Sequence, residues 1–259
     1  SAMVDHLVER LLSGTNLALS SERPTSEIKD RVALEGLPGI GKTALAIVLA
    51  RDGRIREHFS DGILWGGLGR QPDVMRVLGQ WADELGKDVS ALTTEVERAQ
   101  AVSTAIGQRR ILIIIDDAWD VKAAKRLRCG GPNCCHLLTS RDLALAREFA
   151  GLTNIETIPV LDNEASRQLL ELLAPEVCRA APDAIDKLID AAGGLPLTLS
   201  LLGGLLAAPE HSMFEDLALE TAEALEKLSD PMSPMSRLQL AMERLGSLDD
   251  RELTLQETI

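Results

Sequence analysis

Two spacing patterns of apolar residues take turns along the first 160 residues: short unbroken runs, and longer stretches with apolar positions three or four apart. Unbroken runs suit strands buried in a sheet, and the wider spacing suits helices that bury one face. Val32-Ala33-Leu34-Glu35 reads as a short buried strand, with a buried helix following from Thr43 to Ala50. Gly62-Ile63-Leu64-Trp65-Gly66-Gly67-Leu68 reads as a second strand. A helix from Asp73 to Leu85 carries Val74, Val77, Leu78, Trp81 and Leu85 at helical spacing, and another is expected from Thr94 to Ile106. Ile111 to Ile115 is a run of five aliphatic residues, four of them β-branched, as in a strand covered on both faces; Asp116 and Asp117 close it. His136 to Asp142 gives a short strand with a polar end, and Leu152 to Val160 a last edge strand stopped by Pro159. The alternation predicts an α/β fold, a parallel sheet with helices on both faces.

Beyond Pro159 the strand pattern stops. Asp162 is placed to cap a helix through Leu173, with Ala165, Leu169, Leu172 and Leu173 on its apolar side. Pro182 starts a helix ending at Ala192. After Gly193-Gly194-Leu195-Pro196-Leu197, a buried helix covers Thr198 to Ala207, and another is expected from Met213 to Leu228. Asp230-Pro231-Met232-Ser233-Pro234 breaks this series, and Arg237 to Leu245 begins something new. The expected organisation is a lead-in segment over 1–31, a sheet domain over 32–160, a small all-helical domain over 161–229 and the start of a further unit over 230–259. That last stretch is too short to bury a core, so the sequence is expected to be cut from a longer chain. Ser1-Ala2-Met3 reads as a cloning remnant.

Composition narrows the partners. Three Trp, three Phe and no Tyr leave Leu and Ala to do most of the packing, which favours helices around a small sheet. A formal charge of −13 argues against general nucleic-acid binding, which needs basic surface to displace counterions. The longest apolar run, Leu195 to Ala208, contains Pro196, Gly203 and Gly204 and falls short of the ~20 residues of a membrane span. With four cysteines and no secretory leader, a cytoplasmic location is expected.

The candidate chemistry sits in Gly36-Leu37-Pro38-Gly39-Ile40-Gly41-Lys42-Thr43, a match to G-x-x-x-x-G-K-[ST] between the first strand and the first long helix. Glycines let the backbone curl until successive N–H groups face inward, and the following helix adds its positive dipole end. Lys42 can reach the β- and γ-phosphates, and the Thr43 hydroxyl can bind Mg²⁺. About seventy residues later the aliphatic run ends in Asp116-Asp117, at the strand end where open α/β sheets place ligands. Asp116 is expected to hold Mg²⁺, and Asp117 to orient the attacking water. Arg141, after the next strand, can supply a positive charge towards a γ-phosphate.

The phosphate loop, Ile111–Asp117, Thr139-Ser140-Arg141 and Gly194-Leu195-Pro196-Leu197 follow one another in the order and approximate spacing of a single family. Over about residues 20–228 the chain resembles the NB-ARC nucleotide-binding module of STAND signalling ATPases, a group that includes plant disease-resistance receptors, apoptosome-forming factors and bacterial regulators. The resemblance implies a P-loop sheet domain, an ARC1-like helical domain and then a winged-helix domain, of which this sequence holds only the beginning. It implies that ADP or ATP is held by Pro38, Gly39, Ile40, Gly41, Lys42, Thr43 and Ala44, with Mg²⁺ on Thr43 and Asp116. Lys42, Asp116, Asp117 and Arg141 are the implied catalytic set, with Arg141 as sensor. Pro196 is expected to pack on the adenine, and Arg23-Pro24 is similar to the family segment that contacts the base. Two departures stand out. The sensor reads Thr-Ser-Arg where Thr-Thr-Arg is commoner, which keeps the hydroxyl, and the downstream Met-His-Asp element lies beyond the last residue.

The function so implied is a slow regulatory ATPase. ADP keeps the module closed, ATP opens it, and open modules self-associate to drive an effector, with sensor and effector domains elsewhere in the full chain. Alternatives are a phosphotransferase such as a small-molecule kinase, an AAA+-type ATPase acting on another substrate, and an inert ADP-holding scaffold. Lys42, Asp116 and Asp117 oppose the last, and the acidic charge opposes a DNA-associated ATPase. Cys129-x4-Cys134-Cys135-His136 gathers zinc-type ligands, but its spacing matches no usual zinc knuckle.

Overall fold

In the computed structural model, residues 2–13, 31–35, 39–151 and 154–207 are described. They form two compact units: one holds the residues up to Ile158 except Gly39 and Ile40, and the other holds those two with 159–207. The helix expected over 213–228 and the unit expected over 230–259 lie outside the described residues.

The first unit runs α1 (Ala2–Leu12), β1 (Arg31–Glu35), α2 (Lys42–Arg51), α3 (Gly53–His58), β2 (Gly62–Gly69), α4 (Val74–Glu84), α5 (Glu95–Ile106), β3 (Ile111–Ala118), α6 (Val121–Arg126), β4 (Cys135–Ser140), α7 (Leu143–Ala150) and β5 (Ile155–Thr157). Its five strands are all parallel, in the order β2-β3-β4-β1-β5. Strand β3 explains why its sequence is solidly aliphatic. Ile111, Ile113 and Ile115 enter the core shared with α4, α5 and α7, whereas Leu112 and Ile114 face the core shared with α1 and α2. Each is at most 1% exposed. Burial on both faces leaves no place for a polar side chain until the run reaches the edge of the sheet.

Caps set the helix starts. The Thr94 hydroxyl accepts from Glu97 N–H while the Glu97 carboxylate accepts from Thr94 N–H, a capping box that opens α5. Helices α3, α6 and α7 and the six-residue α9 below were not among the expected elements, because six to eight residues are too few for a periodicity to show. Their signal was the cap: Asp52, Asp120 and Asp142 accept backbone N–H groups at the starts of α3, α6 and α7. The edge strand proves shorter than expected, since Asn154 turns back to bond Ala150 O through its side chain (2.9 Å) and Pro159 has no N–H to continue a ladder.

The second unit holds α8 (Asn163–Leu173), α9 (Pro175–Ala180), α10 (Pro182–Ala192) and α11 (Pro196–Leu206) around Leu170, Val177, Ile185, Leu188, Leu199 and Leu202. Asp162 caps α8 by accepting from Ala165 N–H, and prolines occupy the first positions of α9, α10 and α11, where their missing N–H costs nothing. Two expected core positions stay exposed, Leu172 strongly and Leu173 at 36%. Leu172 is 81% exposed, and α8 instead turns Ser166 and Leu170 inward, with Leu169 partly buried. The cause lies in α11. Gly203 has no side chain, so the helices approach closely at Leu170 and Leu173, and that seam leaves Leu172 about 100° round the helix.

Helix α1 is fixed by charge as well as by its apolar face. Arg10 and Glu156 of β5 are both almost fully buried, with Arg10 Nε 3.5 Å from Glu156 Oε1, and His6 Nε2 lies 3.1 Å from the same oxygen. Burial pulls the Arg10 pKa down to about 10, with the Glu156 carboxylate acting in the opposite direction. Replacing Glu156 by Ala would strand a buried guanidinium, which costs about 3–5 kcal/mol. Urea titration should therefore show a large loss of stability for Glu156→Ala, and Glu156→Gln should recover part of it by keeping a hydrogen-bond acceptor.

Candidate phosphate and cation site

Parallel pairing brings the carboxyl ends of β1, β3 and β4 to one edge of the sheet. Leu34 lies level with Thr139, and Ile115 with Leu138, so β4 stands between the strand that leads to the loop and the strand that carries the acids. The first helix after the loop starts at Lys42. Gly41 precedes it at φ 93°, and Gly39 sits at φ 78°, left-handed conformations that other residues rarely adopt. Gly41 brings no side chain to cap α2, and the helix start that follows it carries the positive end of the helix dipole. Lys42 is only 9% exposed, while Thr43 and Ala44 are exposed in the same turn.

Two threonine hydroxyls converge on one carboxylate. Thr43 Oγ1 lies 2.9 and 3.1 Å from the two oxygens of Asp116. Thr139 Oγ1, from β4, donates to Asp116 Oδ1 at 2.6 Å and accepts from Asp117 N–H at 2.9 Å. Asp116 itself is 9% exposed. This carboxylate therefore ties together α2, β3 and β4.

The neighbouring acid points elsewhere. Three steps along β3, from Ile115 to Ala118, match two along β4, from Leu138 to Ser140, so β3 bulges by one residue. Asp117 takes up the extra residue at φ 51°, a left-handed conformation that Asp tolerates better than most side chains. The bulge leaves Asp117 part-exposed, with Oδ1 3.9 Å from Arg141 Nε. Beside them lies Trp119, with Arg70 Cζ 4.7 Å and Arg141 Cζ 5.3 Å from its ring centre. Ser140 has a structural part: its hydroxyl donates to Ala118 O at 2.8 Å and accepts from Asp142 N–H at 3.0 Å.

Lys42, Thr43, Ala44, Asp116, Asp117 and Arg141 thus share one edge of the first unit. Arg23, Pro24 and Pro38 lie outside the described residues. Pro196 opens α11 in the second unit, where Leu197 N–H donates to Gly39 O at 3.2 Å. Gly39 has no room for a side chain there, since a Cβ would come within 2.9 Å of Leu197 Cβ. In the same unit Leu161 N–H donates to Gly194 O at 2.8 Å. Sequence reasoning did not give Thr139 its bonds to Asp116 and the Asp117 amide, and it missed Arg70 and Trp119 altogether. A hydroxyl two residues before a sensor arginine was the available signal for the first. Nothing local marks Arg70, which follows the end of a different strand, β2. The four cysteines are buried thiols, and burial pushes Cys129 up to about 11. His136 Nε2 lies 2.8 Å from Cys129 O, and no metal-type cluster occurs among the described residues.

No described helix is long and apolar enough to cross a membrane. Comparison with known proteins gives a consistent picture. The chain is 30% identical to the regulatory protein AfsR of Streptomyces griseus over 203 residues, which are 76% of this chain and 20% of that protein. It is 26% identical to the ToMV resistance protein Tm-2(2) of Solanum lycopersicum over 70% of this chain and 22% of that one. It is 30% identical to apoptotic protease-activating factor 1 of Danio rerio over 68% of this chain and 15% of that one. The chain thus spans about a fifth or less of these relatives. The family described as the NB-ARC domain matches residues 3–177, more than half of the chain. On this match, and on the motifs and strand order that go with it, the chain belongs to the NB-ARC family of P-loop nucleotide-binding signalling modules.

Proposed function

We propose that the chain is a nucleotide-dependent switch that binds ADP or ATP with Mg²⁺ and hydrolyses ATP slowly, and that its nucleotide state controls self-association and signalling in the full-length protein. The observation that carries this reading is the convergence of Thr43 and Thr139 on Asp116 beside the start of α2. A hydroxyl and a carboxylate, both hard oxygen donors, fit Mg²⁺. The uncapped helix start and the buried Lys42 fit phosphate.

In this reading Gly39, Ile40, Gly41, Lys42, Thr43 and Ala44 cradle the phosphates, Lys42 supplies the full positive charge, and Thr43 with Asp116 holds Mg²⁺. Bound there, Mg²⁺ would neutralise charge on the β- and γ-phosphates. Thr139 keeps the Asp116 carboxylate turned to Thr43. Asp117, left part-exposed by the bulge, orients the attacking water, and Arg141 meets the γ-phosphate. Pro38 completes the loop, Pro196 packs against the adenine, and Arg23 with Pro24 contacts the base from the lead-in segment. Slow turnover suits a protein whose output is its nucleotide state rather than its product. A cytoplasmic setting, with sensor and effector segments elsewhere in the full-length chain, completes the proposal.

Protein purified without added nucleotide and then denatured should release near-stoichiometric ADP on ion-exchange chromatography. An empty protein that turns ATP over rapidly would overturn the switch reading. Lys42→Ala should abolish ADP and ATP binding by calorimetry; undiminished affinity would refute the loop assignment. Asp116→Ala should reduce Mg²⁺-dependent hydrolysis far more than Mg²⁺-free ADP binding. Thr139→Val, which removes one charge-assisted hydrogen bond from Asp116, should lower turnover by about tenfold. Equal effects on hydrolysis and on Mg²⁺-free binding would argue against a cation role for this cluster.

A further inference from the structure

Arg141 is poorly held by its ion pair. Its side chain is 42% exposed, and the 3.9 Å approach to Asp117 is at the outer limit of a salt bridge. Exposed pairs of this kind gain little against the rotamer freedom of a long side chain. A sensor must nevertheless present its guanidinium in one place when the nucleotide arrives, because only a pre-ordered charge adds affinity without an ordering cost. Among the described residues its other interaction is with the indole of Trp119, whose ring centre lies 5.3 Å from Arg141 Cζ and 4.7 Å from Arg70 Cζ. Trp119 is part-buried immediately after β3, and its Nε1 is enclosed with no hydrogen-bond partner among the described residues. No polar group among the described residues ties the ring down, and its π-face is what it offers to Arg141 and Arg70.

Two guanidinium groups over one indole repel each other. Asp117 offsets part of that charge by pairing with Arg141. A cation-attracting face beside one carboxylate and two arginines is therefore short of negative charge, and a γ-phosphate would supply it.

Resting on the assignment of Arg141 to the γ-phosphate, we infer that Trp119 is a positioning residue for Arg141: its ring carries the guanidinium beside Asp117, and Arg70 shares the ring as a second cation that strengthens the demand for an anion. Trp119 touches no phosphate in this scheme. It acts through Arg141 and so affects nucleotides that carry a γ-phosphate and spares those that do not.

The test is a double-mutant cycle read by calorimetry in the presence of Mg²⁺, with ADP and with the non-hydrolysable ATP analogue AMP-PNP as probes. Trp119→Leu should weaken AMP-PNP about fivefold, as expected for loss of one cation–π contact, and leave ADP within twofold. In an Arg141→Gln background the same Trp119→Leu change should have no further effect on AMP-PNP. Trp119→Phe keeps a weaker π-face and should lose about twofold. If the Leu variant does not fold, the Phe variant carries the same cycle. Parallel losses for ADP and AMP-PNP, or an equal loss with and without Arg141, would make Trp119 a packing residue and overturn the inference while leaving the site intact. Wild-type protein that has been stripped of any co-purified nucleotide, remains folded and binds neither probe would overturn the site assignment itself.

Discussion

The Asp116 carboxylate, held by two threonine hydroxyls from different elements, is the constraint on which the rest of the site depends. Thr43 reaches it from the first turn of α2 and Thr139 from the end of β4. For both to arrive, β4 must lie between β1 and β3, and all three strands must run the same way. An antiparallel neighbour would put the threonine at the opposite edge. The strand order is therefore a condition of the chemistry as well as a description of the fold.

The same carboxylate explains the division between two adjacent acids. In a regular strand successive residues face opposite sides, and at this depth both sides of β3 are apolar core. The bulge between Ile115 and Ala118 breaks that alternation at the sheet edge. Asp116 stays inside with the hydroxyls, and Asp117 turns out to Arg141 through a left-handed backbone that the Thr139 hydroxyl secures by accepting its N–H. One threonine side chain thus sets the orientation of both acids. Arg10 and Glu156 apply similar logic away from the site, where a buried ion pair joins α1 to the edge strand.

Much of this was legible in the chain. The aliphatic run at 111–115 announced a two-faced strand because no polar residue can be tolerated there. The glycines and lysine of the loop announced a phosphate cradle because few other residues reach that backbone conformation. Asp162 announced a helix start because an uncapped amide needs an oxygen. Illegible features were those set by a partner distant in sequence. The inward face of α8 could not be read because Gly203, thirty residues on, decides where α11 approaches. Arg70 and Trp119 meet only because β2 and β3 are neighbours in the sheet.

By itself the sequence determined the types of the longer elements, the candidate phosphate loop and the pair of acids, since each rests on local backbone preference or on a run of residues with one solvent requirement. The tertiary structure alone decided which acid is buried, which threonine holds it, and what carries Arg141. Those depend on strand order and on a one-residue bulge, and both are fixed by packing between segments dozens of residues apart, which no local pattern records.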